Sequence, residues 1–404
     1  MKPCDDIKIA DFSWIIQGPL VTKLLGALGA TVVRIEGIGR TVDGVRMYQP
    51  FKDNKPGWNR SGYWNELNTS KKSITIDLKN TEGVNLAKEI VAWSDVVLES
   101  YTSGTMAKLG LSYEDLIKIK PDLIMAGATI YGQTGPRAKA PGIGTTIMAL
   151  SGFVSSVGWP DRDPVGYSVP YTDFMTPLYI ASAILAAIDH RNRTGKGQYI
   201  DCSQYEAGIN FLGSSILDYN ANDDNTIVPL GNRSTYASPH GTYLCQGNDR
   251  WCSIAVLNDE QWISFCQVIG LPELAKDDRF STFPARKENE NELDEIVENW
   301  TKKYTAEEVM ETMQSAGIPA GVVQSAEDLM DKDPQLKSRK FLWQLNHPEI
   351  GAITNSGVPI QFSKSSVEVK SAPCLGEHNE YVCTKILGMS DMEFTKYLES
   401  GAFG

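Results

Sequence analysis

The sequence predicts an α/β protein with a parallel, doubly wound sheet and a second, smaller α+β domain. Strand-like and helix-like segments alternate through the first 130 residues, which is typical of a parallel sheet covered by helices. After a polar segment at 220–225 the pattern changes to hairpin strands followed by amphipathic helices. At 404 residues the chain exceeds the size of one hydrophobic core, so we expect two or three structural units.

The first strand–helix–strand unit opens the chain. Residues 7–12 are extended and apolar, 20–28 have apolar residues at helical spacing, and 31–35 are β-branched. No G-x-G-x-x-G lies between the first strand and helix, so we do not expect a nicotinamide dehydrogenase of the usual kind. The alternation continues at 73–78, 83–93, 96–99, 113–119 and 123–129. Because ligands of such sheets lie at the carboxyl ends of the strands, we expect them at loops 17–19, 37–40, 100–104 and 130–136.

The later elements set the predicted domain limits. The longest predicted helix covers 174–192 and ends at Thr194-Gly195, and a strand over 198–202 and a helix over 208–219 follow it. Hairpin strands over 231–256 and helices over 258–316 then predict a small α+β domain. We therefore divide the chain into a large domain over 1–224, a small domain over 225–325, and a tail over 326–404 that we expect to return to the large domain.

The composition argues against several classes of protein. A net charge of -12 is unfavourable for binding nucleic acid or an acidic membrane surface. No apolar run reaches the roughly 18 residues of a membrane span, and the amino terminus does not resemble a signal peptide, so we predict a cytoplasmic protein. Seven cysteines without a C-x-x-C pair are typical of reduced thiols, and only four histidines argue against a zinc site.

Asp173, just before the longest predicted helix, has two interpretations. As an N-cap it would accept hydrogen bonds from free backbone N–H groups, and the positive end of the helix dipole would keep it ionised. As a catalytic nucleophile it would present a single carboxylate at a helix start. The local pattern favours the cap, because such caps are common, and leaves the nucleophile open.

A set of motifs in constant order runs through nearly the whole chain. They are Asp11-Phe12, Gln17-Gly18-Pro19, Arg34-Ile35-Glu36, Lys71-Lys72-Ser73-Ile74, Lys108-Leu109-Gly110, Tyr131-Gly132-Gln133, Leu150-Ser151-Gly152, Tyr171-Thr172-Asp173, Thr194-Gly195-Lys196-Gly197, Gly317-Ile318-Pro319 and Gly376-Glu377-His378. Together they resemble the class III CoA-transferase family (CaiB/BaiF superfamily), which includes formyl-CoA, carnitine and benzylsuccinate CoA-transferases. The resemblance implies a Rossmann-like large domain built from both chain ends, a smaller inserted domain, and an interlocked dimer of ring-like subunits.

The resemblance also implies a mechanism, with Asp173 and Gln17 as the catalytic residues. The aspartate would attack an acyl-CoA thioester to form a mixed anhydride, and then carry CoA as an aspartyl thioester. Gln17 would contact the acyl or carboxylate group, although a glutamine in a loop is commonly a structural residue. CoA and acyl-CoA would be substrates, and we expect no tightly bound cofactor and no metal.

The other predicted site residues contact CoA or the acid substrate. On the CoA side we predict four cations for the phosphates and two tyrosines: Arg40, Lys71, Lys72, Lys108, Tyr101 and Tyr131. On the acid side we predict Trp14, His240 and Gly241. Lys108 stands where relatives carry arginine, and it keeps the charge but loses the bidentate fork. For each cation a solvated surface role stays open, and for each aromatic residue a packing role.

Three alternatives to this function stay open. An α-methylacyl-CoA racemase would pair the aspartate with a His-Asp motif, but this chain has Ile143-Gly144 at that position and lacks the second acid–base group. A noncatalytic subunit or a CoA-binding module would not need Asp173. Aromatic residues near the predicted site would suit an aryl or bulky acid. Taken with the family resemblance, they lead us to expect succinyl-CoA as donor and a benzylsuccinate-like acceptor, with carnitine-type and 2-hydroxyacid acceptors as alternatives. The expected partners are a second copy of the chain or a related subunit, with no nucleic acid and no membrane.

Overall fold

The computed structural model describes residues 2–222 and 229–404. The predicted boundary between residues 224 and 225 lies outside them. The strands are β1 Lys8–Asp11, β2 Thr31–Glu36, β3 Lys71–Thr75, β4 Val96–Glu99, β5 Ile124–Thr129, β6 Tyr199–Ser203, β7 His240–Leu244, β8 Trp251–Ala255, β9 Ala320–Val322, β10 Leu342–His347 and β11 Gly351–Ser356. The α-helices are α1 Gln17–Ala27, α2 Gly62–Leu67, α3 Thr81–Trp93, α4 Thr105–Lys108, α5 Tyr113–Leu116, α6 Gly144–Leu150, α7 Phe153–Ser156, α8 Tyr171–Thr194, α9 Gln204–Phe211, α10 Gly213–Asn222, α11 Asp259–Val268, α12 Phe283–Glu288, α13 Glu290–Thr301, α14 Ala306–Ser315, α15 Pro334–Ser338, α16 Asn379–Tyr381 and α17 Asp391–Glu399.

Six strands form one parallel sheet in the order β3-β2-β1-β4-β5-β6. This is the strand order of a Rossmann-like sheet, so the predicted parallel α/β architecture is confirmed. The strand order reverses between β1 and β4, and ligands of such sheets bind beside the carboxyl ends of the strands at this kind of switch point. The loops that follow β1, β4, β5 and β6 therefore share one edge of the sheet, which we call the carboxyl edge.

Helices cover both faces of this sheet. On one face α1 and α8 bury Val21, Leu25, Ile180 and Ile184 against alternate residues of the strands. On the other face α3, α4 and α5 pack with part of the carboxyl-terminal segment, including Val382. The large domain is thus built from both chain ends, as the resemblance implied.

Helix α8 is longer than the sequence predicted. It begins at Tyr171 and ends at Thr194, and Gly195 follows in a left-handed conformation with a φ of 71°. By length and by the mean hydropathy of its most apolar 18 residues (1.3), this helix could span a membrane, although the sequence had predicted no such span. However, 44% of these 18 residues are buried within the protein. Because its inner side packs on the sheet with α1, it has the features of a core helix.

A second compact unit comprises 155–165 and 229–334. Its antiparallel sheet, in the order β7-β8-β9, packs with α11, α13 and α14 around Trp262 and Phe265. The prediction had placed 155–165 in the large domain and 326–334 in the tail. Both segments are held by contacts inside this unit, since Gly231 N donates to Gly158 O at 2.8 Å and Arg250 forms a 2.6 Å ion pair with Asp328.

Candidate active site

Asp173 lies in the first turn of α8 and is not its N-cap. The helix begins at Tyr171, Pro170 occupies the cap position, and the Asp173 N–H donates to Pro170 O at 2.9 Å. The predicted cap was therefore wrong, because the helix starts three residues earlier than the apolar pattern indicated. The carboxylate is still within the first turn, where the helix dipole favours negative charge.

The Asp173 side chain is partly buried and is held by a neighbouring amide. Its Oδ1 accepts a 3.0 Å hydrogen bond from Gln204 Nε2, which also donates to Thr172 Oγ1 at 2.9 Å. Burial raises the pKa of Asp173 to about 6, and the Gln204 hydrogen bond opposes that rise in pKa. Burial thus outweighs the effect expected of the helix start. Asp173 is ionised at neutral pH but is more basic than an exposed carboxylate, a property suited to a nucleophile.

Gln204 was missed by the sequence reasoning. It is the residue directly after β6 and the first of α9, so it belongs to the carboxyl edge. Its side chain is buried and holds the Asp173 and Thr172 side chains together. A polar residue directly after a predicted strand was the available signal, but its partner lies 31 residues away in the chain.

Gly144 contacts the second oxygen of Asp173. A Cβ atom added at Gly144 would lie 1.7 Å from Asp173 Oδ2 and 2.5 Å from Pro170 Cβ, so no side chain fits there. Ile143, its neighbour, is 65% exposed. A His-Asp motif at 143–144, as the racemase alternative requires, would place its aspartate side chain where the Asp173 carboxylate lies. The backbone of this chain therefore has no room for that aspartate at position 144.

Tyr131 lies on the loop that follows β5. Its hydroxyl is 3.3 Å from the position of a Cβ at Gly142, close to the start of α6, and its ring packs against Tyr205 with centroids 6.2 Å apart. The next residues of this loop are held by two carboxylates: Gln133 N donates to Asp201 at 2.9 Å, and Gln133 Nε2 donates to Glu99 at 3.0 Å. The Tyr131 loop is thus fixed at the carboxyl edge of β4, β5 and β6.

Gln17 is the first residue of α1 and presents an unpaired donor. Its side chain is buried, and within 2–222 and 229–404 its Nε2 has no hydrogen-bond partner. A buried amide without an acceptor costs free energy, so this group is suited to a ligand oxygen such as that of a carboxylate or thioester. The predicted role of Gln17 as a substrate contact is compatible with this geometry.

The loop before Gln17 is braced from two sides. Trp14 Nε1 donates to the Tyr101 hydroxyl at 2.9 Å, and Trp14 N donates to Ser100 Oγ at 2.7 Å. Ile15 has a φ of 66°, which is unfavourable for a β-branched residue, and its N–H lies 3.3 Å from the Asp43 carboxylate oxygens. Trp14 and Tyr101 therefore contact each other, although the sequence had predicted that they bind different ligands.

Lys71 was predicted to bind a CoA phosphate, and the structure argues against that role. Its ammonium donates to Asp11 Oδ2 at 3.3 Å, Pro19 O at 2.9 Å and Asn68 Oδ1 at 2.9 Å, so its three hydrogens all have protein acceptors. The side chain is fully buried, and burial lowers the pKa of Lys71 to about 7. Lys71 belongs to an internal ion network with Asp11 and Arg34.

The other predicted cations lie in different places. Arg40, in a short turn after β2, and Lys108, the last residue of α4, are exposed and available to a ligand. Lys72 is near the start of β3, at the amino-terminal edge of the sheet and therefore opposite the edge that carries Gln17 and Gln204. This placement argues against a shared role of Lys72 with these residues.

His240 and Gly241 begin β7 in the second unit. His240 Nδ1 is 2.7 Å from Asn232 O, and both residues line a cavity of about 520 Å³ together with Thr242 and Ser253. Within the described parts of the chain, no group of three or more His, Cys, Asp or Glu side chains is arranged to hold a metal ion.

Comparisons with known proteins agree with this fold. The family model described as CoA-transferase family III matches residues 4–379. The chain is 32% identical to a succinyl-CoA:glutarate CoA-transferase of Mus musculus over 99% of this chain and 90% of that protein. It is also 32% identical to a succinyl-CoA–D-citramalate CoA-transferase of Chloroflexus aurantiacus, over 96% of this chain and 95% of that protein.

One solved structure extends the similarity to three dimensions. The crystal structure of a CaiB/BaiF family protein from Brucella suis has a TM-score of 0.86 and 31% sequence identity to this chain. The match covers 95% of this chain and 99% of that one. A further relative, 30% identical over 96% of this chain and 95% of its own length, is a succinyl-CoA–L-malate CoA-transferase beta subunit of Chloroflexus aurantiacus.

Proposed function

The chain belongs to CoA-transferase family III, and from that premise we propose that it transfers CoA from succinyl-CoA to an aliphatic dicarboxylic acid. The relatives named above use succinyl-CoA, with glutarate, citramalate or malate as the second acid. A benzylsuccinate-like acceptor was inferred from aromatic residues together with the family resemblance, and none of these relatives is named for it. Carnitine-type acceptors and 2-hydroxyacid acceptors are the remaining candidates, and the second class overlaps with the proposed one because citramalate and malate are 2-hydroxy dicarboxylic acids.

The observation that carries the proposed mechanism is the Asp173 carboxylate, which is partly buried, bound by the Gln204 amide, and packed against Gly144. An Asp173 oxygen attacks the thioester carbonyl of succinyl-CoA, the C–S bond breaks, and CoA leaves as a thiolate. The thiolate then attacks the aspartyl carbonyl of the mixed anhydride, which releases succinate and leaves an aspartyl-CoA thioester. No ATP is consumed, because each step exchanges acyl groups of comparable energy.

The second half of the reaction mirrors the first. A carboxylate of the acceptor acid attacks the aspartyl-CoA thioester and expels the CoA thiolate, which gives a new anhydride. The thiolate attacks the acceptor acyl carbon of this anhydride, forms the product thioester, and regenerates the Asp173 carboxylate. Water must stay out of the site, since it would hydrolyse either covalent intermediate.

Other side chains have proposed supporting roles. The unpaired Gln17 Nε2 would donate to a substrate oxygen on which negative charge develops. Gln204 would hold the Asp173 carboxylate in the attacking orientation. For the CoA phosphates we retain Arg40 and Lys108, which are exposed, and withdraw Lys71.

We also propose that the chain works as a dimer. Large apolar side chains are exposed on α8 to α10, including Leu178 (59% exposed), Phe211 (51%) and Leu217 (67%). An apolar surface of this kind is typical of a protein–protein interface. A second copy of the chain is the simplest occupant, and a related subunit is the alternative, because one relative is named as a beta subunit. Native mass measurement of the purified protein distinguishes the two.

The first experiment tests the mechanism at Asp173. Incubation with succinyl-CoA and hydroxylamine should convert Asp173 to its hydroxamate, detected by mass spectrometry of its peptide. Asp173→Asn should lower kcat by at least about 10³-fold, because a nucleophile is lost, while circular dichroism of the variant stays unchanged. An Asp173 that remains unmodified while the enzyme turns over would contradict the mechanism.

The second experiment tests the acceptor. Succinyl-CoA is incubated separately with glutarate, citramalate, malate, benzylsuccinate and carnitine, and the CoA esters formed are identified by mass. We expect the highest kcat/KM with an aliphatic dicarboxylate. A higher kcat/KM with benzylsuccinate or carnitine would contradict the proposed acceptor without affecting the assigned reaction type.

A further inference from the structure

We propose that a second site, which binds the phosphate group of a small molecule, lies at the amino-terminal edge of the parallel sheet. The cavity has a volume of about 290 Å³ and is lined by the first residues of β2 and β3, by Lys2, and by segment 368–378. Because Asp173, Gln17 and Gln204 lie at the carboxyl edge, the strands separate this cavity from the candidate active site. The inference does not depend on the proposed CoA-transferase reaction.

The cavity carries more cationic than anionic side chains. Lys2, Lys72 and Lys370 contribute three ammonium groups, and Glu368 and Glu377 contribute two carboxylates. Lys71 also lines the cavity, but its ammonium is bound by Asp11, Pro19 and Asn68 and is not counted here. This leaves an excess of one positive charge in a concave site, although the whole chain has a net charge of -12. A local cationic site on an acidic protein is suited to a small anion, which can enter where a polyanion would be repelled.

The two carboxylates of the cavity already have partners. Glu368 forms an ion pair with Lys2, and its second contact, with Lys370 Nζ, is longer at 3.9 Å. Glu377 Oε2 accepts a 2.7 Å hydrogen bond from the Cys374 N–H. Glu368 is therefore paired with a lysine, whereas Glu377 is held by a backbone N–H and keeps its negative charge in the wall.

Among the described residues, Lys72 is the lysine of this cavity wall without a hydrogen-bond acceptor or an ion pair. Its side chain is half-buried, its ammonium lies 4.6 Å from the centroid of the Tyr381 ring, and no described residue accepts a hydrogen bond from it. Burial lowers the pKa of Lys72, the nearby positive charge of Lys370 lowers it further, and the negative charge of Glu377 opposes this lowering of the pKa. An anion held between Lys72 and Lys370 would relieve the repulsion between the two lysines and supply the missing acceptor.

His378 adds a neutral donor to the same wall. Its Nδ1 accepts a long hydrogen bond of 3.4 Å from the Ser73 N–H, and burial lowers the pKa of the imidazole. A neutral histidine whose Nδ1 is an acceptor carries its proton on Nε2. This N–H, the ammonium groups and the hydroxyl groups of Ser70 and Ser371 are donors that suit the oxygens of a phosphate.

The site would connect distant parts of the chain. Its walls come from the amino terminus, from the sheet, and from segment 368–378, which joins Ser70 through hydrogen bonds of 3.0 Å between Ser70 N and Lys370 O and between Lys370 N and Ser70 Oγ. A ligand that binds only the folded state would stabilise the protein by mass action. Binding is therefore expected to raise the thermal midpoint of the large domain.

Inorganic phosphate is the probe for the test. The full-length protein is first titrated with CoA to one molecule per chain, so that the candidate active site is occupied and the second site is left free, and phosphate binding is then measured by ³¹P NMR line broadening and by the shift in Tm. Saturable binding of one phosphate per chain is expected, with a Kd at least about tenfold weaker in Lys72→Met and Lys370→Met. The matched control is Lys385→Met, at an exposed lysine outside the cavity, which should bind phosphate as the unmodified chain does.

Two results would overturn the proposal. One is the absence of saturable phosphate binding at millimolar concentrations in the protein that carries one CoA per chain. The other is an unchanged Kd in both Lys72→Met and Lys370→Met when circular dichroism shows that these variants fold. Because CoA is present throughout, failure here leaves the assignment of Asp173 unaffected.

Discussion

Asp11, which is fully buried, and Asp173, which is partly buried, are carboxylates at the same edge of one sheet, and their surroundings differ in almost every respect. Asp11, the last residue of β1, accepts hydrogen bonds from Ser13 and Thr22 and contacts Lys71 and Arg34 at 3.3 Å. Burial alone would raise its pKa, but the two cations hold the pKa of Asp11 below its usual value. Asp173 has the Gln204 amide as its side-chain partner, and burial raises its pKa to about 6.

The difference separates a structural charge from a reactive one. A buried carboxylate that contributes to the fold has its oxygen atoms bound by cations and hydroxyl groups, because an unpaired buried charge costs free energy. A nucleophile must keep a lone pair free, so it cannot be satisfied in the same way. Lys71, which the sequence alone suggested for a phosphate, belongs to the structural set because it neutralises Asp11.

The largest expected effect is on the free energy of unfolding, when Asp11 and Asp173 are each replaced by asparagine. Asp11→Asn leaves Arg34 and Lys71 without their shared counter-charge and should lower the free energy of unfolding by about 3–5 kcal/mol. Asp173→Asn removes a charge whose pKa is raised by burial and should increase the free energy of unfolding by about 1–3 kcal/mol at pH 8. Urea unfolding of both variants measures the two values.

The pH dependence of stability should differ in sign between the two sites. The folded-state pKa of Asp11 is lowered, so its contribution is present above the unfolded pKa and is lost as pH falls through the folded pKa. The folded-state pKa of Asp173 is raised, so its ionisation destabilises the fold above about pH 6, and this cost disappears as pH falls below the unfolded value of 3.8. If Asp11→Asn and Asp173→Asn lowered the free energy of unfolding by equal amounts, the distinction between a structural and a reactive carboxylate would be wrong.

The second effect concerns the space beside Asp173. Gly144→Ala places a methyl group where Asp173 Oδ2 lies, so the carboxylate must move. We expect kcat to fall by about 10²-fold, since a displacement of about 1 Å at the reacting group costs this much. Gly213→Ala is the control, because no atom lies within 4 Å of its added Cβ. Equal kcat values for the two variants would show that Asp173 does not need this packing.

The smallest effect concerns the hydrogen bond from Gln204 to the Asp173 carboxylate. Gln204→Leu removes the interaction that lowers the pKa of the carboxylate, so the pKa should rise above about 6. Because the attacking group must be ionised, the acid limb of the kcat/KM profile should move to higher pH by about one unit. Gln198→Leu, at an exposed glutamine just before β6, should leave the profile unchanged. A shift toward lower pH in Gln204→Leu would contradict the assigned role of Gln204.

Local patterns were sufficient for much of the fold. The alternation of strands and helices predicted the parallel sheet, and the first strand–helix–strand unit was confirmed as β1, α1 and β2. The predicted start of α8 was wrong, because Tyr171 and Thr172 belong to the helix although they precede its regular apolar pattern. The limits of the second unit also differed, because contacts such as Arg250–Asp328 join residues far apart in the chain.

By itself, the sequence determined the α/β class, the family motifs, and the two residues Asp173 and Gln17 to which they point. Periodicity and motif order are properties of neighbouring residues, so they can be read without coordinates. Only the tertiary structure decided which groups surround the predicted site residues. It places Gln204 and Gly144 beside Asp173, and Asp11 beside Lys71. It also places Lys72 at the edge of the sheet opposite Gln17. Burial and the pairing of charges depend on contacts between distant segments, and these set the pKa of each carboxylate.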